Sequence, residues 1–316
     1  MKIDGSKIDF GSFSIINHPL GIQINGKFRS AQTADIETQV QGSISGYASG
    51  GFTGPGAISN VIDKFPFSVE SNASNVGDLS QARYRVAGQS STDSGYTSGG
   101  FAPPSVNTID KFPFAADSNA TDVGDLTQAR NTVAGQSSEI SGYTSGSTNV
   151  IDKFPFSSDA NASDVGDLTI ARLTMAGKSS FEAGYTSGGL TTPTTTTDTI
   201  DKFTFSADTN SSDVSNLSQS RTEAAGHSSG TSGYTSGGFV PPNTRLDTID
   251  KFPFASDQAG TDVGELTCCR QTTTGTASSV SGYTSGGEFT PPAGSPPTVQ
   301  DVIDKFPFSS DTSATD

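Results

Sequence analysis

The residues best suited to chemistry in this chain come in sets. Asp63, Lys64 and Arg83 return as Asp110, Lys111 and Arg130, then as Asp152, Lys153 and Arg172, and the pattern continues to Lys305. A catalytic constellation is normally unique, so a trio repeated along the chain suits structural work. Asp and Arg can share a charge-assisted hydrogen bond between neighbouring strands, and Lys can lay its stem over apolar surface with its head in water. The other titratable groups are few. His18 and His227 are the only histidines, and no metal set, nucleophile elbow or phosphate-binding loop can be assembled around them. Cys268 and Cys269 stand where other units carry Gln-Ala, as at Gln128-Ala129. The fold therefore does not require them, and two free thiols are expected rather than a strained vicinal disulfide. Enzyme activity is not expected.

The loops Asp117-Ser118-Asn119-Ala120-Thr121-Asp122, Asp159 to Asp164 and Asp208 to Asp213 place carboxylate and amide oxygens two and five residues apart. Ca²⁺, which takes about six to eight oxygens, is the one cofactor such spacing suggests. The distal Glu of a calcium loop is missing, however, and Asp and Asn at these spacings make turns by bonding their own backbone. Turns are the expected role, with no cofactor.

These residues must be positioned by a repeating element. The stretch Val61-Ile62-Asp63-Lys64-Phe65-Pro66-Phe67 returns at Ile109, Ile151, Ile200, Ile249 and Ile303. Gly-Tyr-x-Ser-Gly precedes each copy, with tyrosines at 47, 96, 143, 185, 234 and 283. A block such as Asp122 to Arg130 follows it. A period of roughly 40 to 50 residues is the mark of a propeller or solenoid array. The unit after Arg130 reads as four short strands, Asn131 to Ser137, Ser141 to Ser145, Val150 to Phe156 and Asp164 to Leu168, each bounded by turn residues. Alternation puts Asp63, Phe65 and Phe67 on one side of the third strand and Ile62, Lys64 and Pro66 on the other. Apolar bulk on both sides suits a sheet sandwiched between two others.

In that order of elements the chain resembles kelch-type β-propellers: Arg130, a strand, Gly142-Tyr143 and a Gly-rich end, Ile151-Asp152-Lys153-Phe154, then Val165 to Leu168 and Arg172. The resemblance covers about residues 21 to 316 and implies an all-β, six-bladed β-propeller. The chain has no Trp, and the place the family gives to Trp is held by Val76, Val123, Val165, Val214 and Val263. The wording of the units, Gly-Tyr-Thr-Ser-Gly-Gly and Asp-Lys-Phe-Pro-Phe, also resembles repeat proteins encoded by marine bacteriophages.

Residues 1 to 20 match no repeat and are expected to form an N-terminal arm. Gly21 to Arg29 resembles a degenerate copy of the Val-Gly-Asp-Leu-Thr-Gln-Ala-Arg block, and the sixth unit stops at Asp316 where that block should begin. Because an open ring leaves backbone unpaired, residues 21–29 are expected to complete the sixth blade beside Val302 to Phe308. Formal charge is −15, which argues against a nucleic-acid partner and anionic membranes. No stretch reaches spanning length, so membrane insertion is not expected.

The variable segments between the Gly pair and the next Ile-Asp-Lys-Phe are where binding usually resides on a fixed scaffold. Phe101, Pro103, Pro104, Phe239, Pro241, Pro242, Phe289, Pro291 and Pro292 are the candidate contact residues. The phage resemblance implies a non-enzymatic structural or adhesion role in the virion, as a decoration, fibre or tail component. Its partners would then be other virion proteins, met through the arm or one propeller face. The alternative is a lectin-like propeller that binds a host-surface glycan in several equal sites between blades.

Overall fold

Each repeat folds as one small antiparallel sheet, and every regular element among the described residues is a strand. In the computed structural model the described residues are 44–54, 56–191, 194–289 and 298–316, with the backbone of five short strands before residue 30. The unit after Arg130 forms strands Ala134–Ser137, Ser141–Ser145, Val150–Pro155 and Ser163–Asp167, paired in chain order. Six such sheets stand around an axis as a six-bladed β-propeller. The first is described as Ser45–Gly54, Ala57–Pro66 and Ser74–Asp78, and the sixth as Thr274–Ala277, Ser281–Ser285 and Ile303–Pro307.

The third strand carries the interfaces on both its sides. Phe112 and Phe114 face the preceding blade, where the Tyr47 ring lies 5.4 and 5.0 Å from theirs. Ile109 faces the following blade and packs with Tyr96, Leu126 and Phe154. The valines in the place of Trp, such as Val123 and Val165, pack half-buried against these clusters. The Tyr-Phe-Phe contact repeats at every junction. It also joins the sixth blade to the first, where Tyr283 meets Phe65 at 5.4 Å and Phe67 at 4.9 Å. The same packing therefore closes the ring.

The described pairings of residues 21–29 lie within the N-terminal strands. Gly21–Ile24 and Lys27–Arg29 pair with each other, and Gly21–Ile24 also pairs with Ser14–His18. Together with Lys2–Asp4 and Lys7–Asp9 they form a five-stranded meander of their own, so residues 1–20 contribute three strands. The compact unit containing this sheet ends at Glu37. At the outer edge of the sixth blade Lys305 pairs with Thr315, exchanging backbone hydrogen bonds of 2.8 and 2.9 Å. This is the position at which Lys111 pairs with Thr121 in the second blade.

Charged residues lock blade to blade. Arg83, Arg130, Arg172, Arg221 and Arg270 are buried and meet Asp110, Asp152, Asp201, Asp250 and Asp304 of the following blade at 2.7 to 3.1 Å. The lysines reach the same way at the surface: Lys111 Nζ lies 3.0 Å from Asp159 and Lys153 Nζ 2.9 Å from Asp208. Such half-exposed pairs contribute little, about 0–1 kcal/mol each.

Near the axis the packing is polar. The second strands, Ser-Gly-Tyr-Thr-Ser, are buried along almost their whole length. Their hydroxyls pair across blades, as Ser98 with Thr144 at 2.6 Å and Ser236 with Thr284 at 2.7 Å. Further in, the Ser137 hydroxyl accepts from the Ser90 amide at 3.0 Å and the Ser179 hydroxyl from the Ser137 amide at 2.9 Å. The innermost strands approach so closely that a Cβ on Gly135 would overlap the Gly88 carbonyl, and one on Gly177 the Gly135 carbonyl. Gly135→Ala is therefore expected to force inner strands apart at a cost of about 1–3 kcal/mol, read as a lowered urea midpoint. Gly51→Ala at the first blade's rim, where added bulk would meet open space, is expected to show only the backbone cost of its positive φ.

Candidate functional site

The inner strand of each blade begins, and its second strand ends, at the same face of the ring. That face therefore collects two kinds of connection: those entering each inner strand, and the variable segments leaving each second strand. The entry residues Arg85, Thr132, Thr174, Glu223 and Thr272 all have positive φ, between 54° and 59°. They are tied in sequence around the axis, the amide of Thr132 donating to the Arg85 carbonyl, Thr174 to Thr132, Glu223 to Thr174 and Thr272 to Glu223, at 2.9 to 3.0 Å. Left-handed backbone costs a non-glycine residue about 1 kcal/mol or more and concentrates at functional sites. These residues rim one mouth of the central channel.

The variable segments lie against this rim. Phe101 bridges to Tyr84, Leu190 to Leu173, Phe239 to Thr222 and Glu288 to Gln271. Of the candidate contact residues, Phe101 is half-buried, with Pro103 and Pro104 exposed beside it; Phe239 and Pro241 are half-buried and Pro242 is exposed. Phe289 is half-buried and pairs with Thr298. Pro291 and Pro292 lie outside the described residues. Phe101 and Phe239 sit on opposite blades, the second and the fifth, so the candidates share a face without forming one patch.

Two clusters on this face were not singled out from the sequence. Around the first and second blades, Phe52, Tyr84 and Phe101 form a row with ring centres 5.6 and 5.7 Å apart, and the Arg85 guanidinium lies 5.3 Å from the Tyr84 ring. Around the fifth and sixth, Arg245 pairs with Glu288 at 2.5 Å and lies 5.9 Å from the Phe239 ring. Glu223 faces both groups. Burial pushes its carboxyl up, Arg85 draws it back down, Glu288 raises it and Arg245 lowers it. Its Oε2 is buried and has no hydrogen-bond donor among the described residues. The sequence signal was present, since Tyr84, Arg85 and Glu223 depart from the repeat where other units carry Asn131, Thr132, Thr174 and Thr272.

The channel wall holds two further titratable groups, Lys178 and His227. A cavity of about 220 Å³ on the axis is lined by inner strands that include Gln136, Lys178 and His227. These residues occupy one repeat position. Gln89 Nε2 there donates to Ser98 Oγ at 2.8 Å and to the Tyr143 carbonyl at 3.0 Å. Lys178 Nζ donates to Ser187 Oγ and to the Ala176 carbonyl. His227 Nδ1 donates to the Thr276 carbonyl at 3.0 Å, which leaves Nε2 to accept from Ser236 Oγ at 2.8 Å. Burial drives the His227 imidazole down to about 4 and the Lys178 ammonium well below its ordinary range. Both of the imidazole nitrogens are thus engaged in the role Gln performs elsewhere.

The Asp-x-Asn loops act as turns and bridges. Asp117 Oδ1 accepts from Lys64, Asn119 Oδ1 from the Asp78 amide and Asp122 Oδ1 from the Gly124 amide. Cys268 and Cys269 are free thiols. Cys269 donates to Asp247 at 3.3 Å, and burial, then Asp247, pushes its thiol up to about 11. Since the thiolate is the reactive form, iodoacetamide at pH 8 is expected to label Cys269 far more slowly than free cysteine. Labelling at the free-cysteine rate would refute the Asp247 contact.

No known protein family matches the sequence, and no curated protein does. Among solved structures, one titled "Structure of YjhT" superposes with a TM-score of 0.66 at 11% identity, covering 85% of this chain and 97% of that one. At that identity the likeness is one of fold.

Proposed function

We propose that this chain is a non-enzymatic adhesion module of a phage particle, which turns its variable-segment face towards a partner. The observation that carries the reading is a division of labour along the repeat. The recurring Asp, Arg, Lys, Tyr and Phe residues are engaged between blades, while the segments that vary in length lie on the face with Phe101 and Phe239; the turns of the opposite face keep one length and vary only in residue type, as at Ile140, Phe181 and Val280. A scaffold of constant blades with one variable face is how loop-borne recognition is commonly built. The phage setting is supported by the wording of the repeats, and attachment would use the N-terminal strands or the opposite face.

A glycan reading with several equal sites between blades has less support, because aromatic stacks and hydroxyl pairs fill those junctions. The test is quantitative mass spectrometry of purified marine phage particles for peptides of this chain. Many copies per particle would assign a decoration, and a few would assign a fibre or tail component. Absence from particles would overturn the virion setting.

A further inference from the structure

The rim residues are repeats of one position, and two sectors of the described rim combine an aromatic with a cation, Tyr84 with Arg85 and Phe239 with Arg245; the first presents the longer aromatic row. Tyr84 stands where other blades have Asn131, Leu173, Thr222 and Gln271, and Arg85 where they have Thr132, Thr174, Glu223 and Thr272. Phe52 is 47% exposed and continues the row Phe52, Tyr84, Phe101, in which Arg85 lies over Tyr84. Across the mouth, on the opposite blade, Glu223 carries a buried Oε2 with no donor among the described residues. A structural role for these departures would be served by the Thr used elsewhere, so their convergence at a strained rim asks for a ligand.

The chemistry of the groups narrows what that ligand is. Arg85 and Arg245 are balanced by Glu223 and Glu288, so the mouth as a whole favours no net charge. Arg has donors only and an ionised carboxylate has acceptors only. A hydroxyl serves both, accepting from one and donating to the other. Aromatic faces without polar atoms suit the apolar C–H face of a ring. We propose that the channel mouth holds one site for a neutral oligosaccharide, with a sugar ring lying on the exposed Phe52 ring beside Tyr84, which tilts 46° from it, and hydroxyls bonded to Arg85 and Glu223. The site is single, unlike the several equal sites the repeat alone suggests. The proposal rests on reading this face as the contact face, and it names the class of ligand taken there.

The test uses the full chain on an array of neutral and acidic oligosaccharides, followed by calorimetric titration of the strongest neutral binder. The expected result is one sugar per chain, with affinity lowered about tenfold or more by Arg85→Thr and by Phe52→Ser. Thr is native to this position in three other blades, so Arg85→Thr is expected to fold, with only a small fall in melting temperature from the lost attraction to Glu223 and contact with Tyr84. Ile140→Ser, which alters an exposed residue on the opposite face, is expected to leave binding unchanged. Binding near six sugars per chain, binding unaffected by both rim variants, or no neutral glycan bound at millimolar concentration would each overturn the proposal. If a peptide library binds through Tyr84 and Arg85 while no sugar does, the saccharide assignment fails and the contact-face reading stands. If neither class binds this face, and Arg85→Thr leaves adhesion to host cells intact, both fail.

Discussion

Asp152→Ala is expected to lower the stability of the propeller by about 3–5 kcal/mol, the effect of leaving a buried charge without its partner. Asp152 is fully buried and accepts from Arg130 Nη2 at 2.8 Å, from the Thr127 amide at 3.0 Å and from the Thr127 hydroxyl at 2.6 Å. Thr127 and Arg130 follow the outer strand of the second blade, whereas Asp152 lies in the third, so the cluster clamps two blades together. Burial lowers the Arg130 guanidinium below its ordinary value and the Asp152 charge opposes that shift. Removing Asp152 therefore leaves a cation dry and uncompensated.

The double replacement Arg130→Met with Asp152→Leu is expected to recover part of the loss, because a buried pair replaced by apolar groups is often close to neutral. Recovery should be incomplete for a specific reason. Arg130 also donates to the Thr144, Gly146 and Val150 carbonyls at 2.8 to 3.0 Å, and Met removes all three donations, leaving the Val150 carbonyl with the 3.3 Å bond from the Gly146 amide. A urea-denaturation double-mutant cycle measures the coupling, with Lys111→Met at the half-exposed Asp159 bridge as a control expected to cost about 0–1 kcal/mol. Equal, small effects at the two pairs would show that the buried clamp contributes nothing special.

The second large effect is a pH dependence centred on His227. Its folded value of about 4 lies below the ordinary 6.5, so between those values the unfolded chain binds the extra proton. Stability is therefore fully present above about pH 6.5 and is lost as pH falls towards 4. The difference corresponds to about 3 kcal/mol at the acid end. His227→Gln, the residue native at Gln89 and Gln136, is expected to match the wild type at pH 7.5 and to be more stable by up to that amount at pH 4. Gln retains a donor for Ser236 Oγ, as Gln89 does for Ser98 Oγ. Thermal melts across pH 4–8 decide it, and identical acid profiles for the two proteins would show that His227 titrates normally.

Lys178→Gln follows the same logic with the opposite ends of the scale. Its folded value is depressed, so the unfolded chain again binds more protons. The native Lys then costs stability at every pH below its ordinary range. The variant is expected to be more stable than the wild type at pH 7, with the difference shrinking as pH rises towards 10.5. A less stable variant at pH 7 would mean that the Ser187 and Ala176 contacts outweigh the desolvation of the ammonium.

Much of the blade was legible in the chain because it rests on local rules. Turn residues bound the strands of the unit after Arg130, and the structure places those strands within a few residues of where alternation and composition put them. The two sides of Ile-Asp-Lys-Phe-Pro-Phe follow from the two-residue period of a strand. The pairing of Asp with Arg follows from their recurrence together.

What the tertiary structure alone decided concerns groups brought together by the ring. The Ser-Gly-Tyr-Thr-Ser strand is polar yet buried, because hydroxyls on neighbouring blades satisfy one another, a bond that exists only after the blades assemble. Lys178 and His227 look like ordinary polar substitutions until the neighbouring blade removes their water. Gly21 to Arg29 carries the pattern of an outer strand, but pattern by itself does not choose a partner. Arg85 and Glu223 lie more than a hundred residues apart and face each other only because three blades carry the chain halfway round an axis.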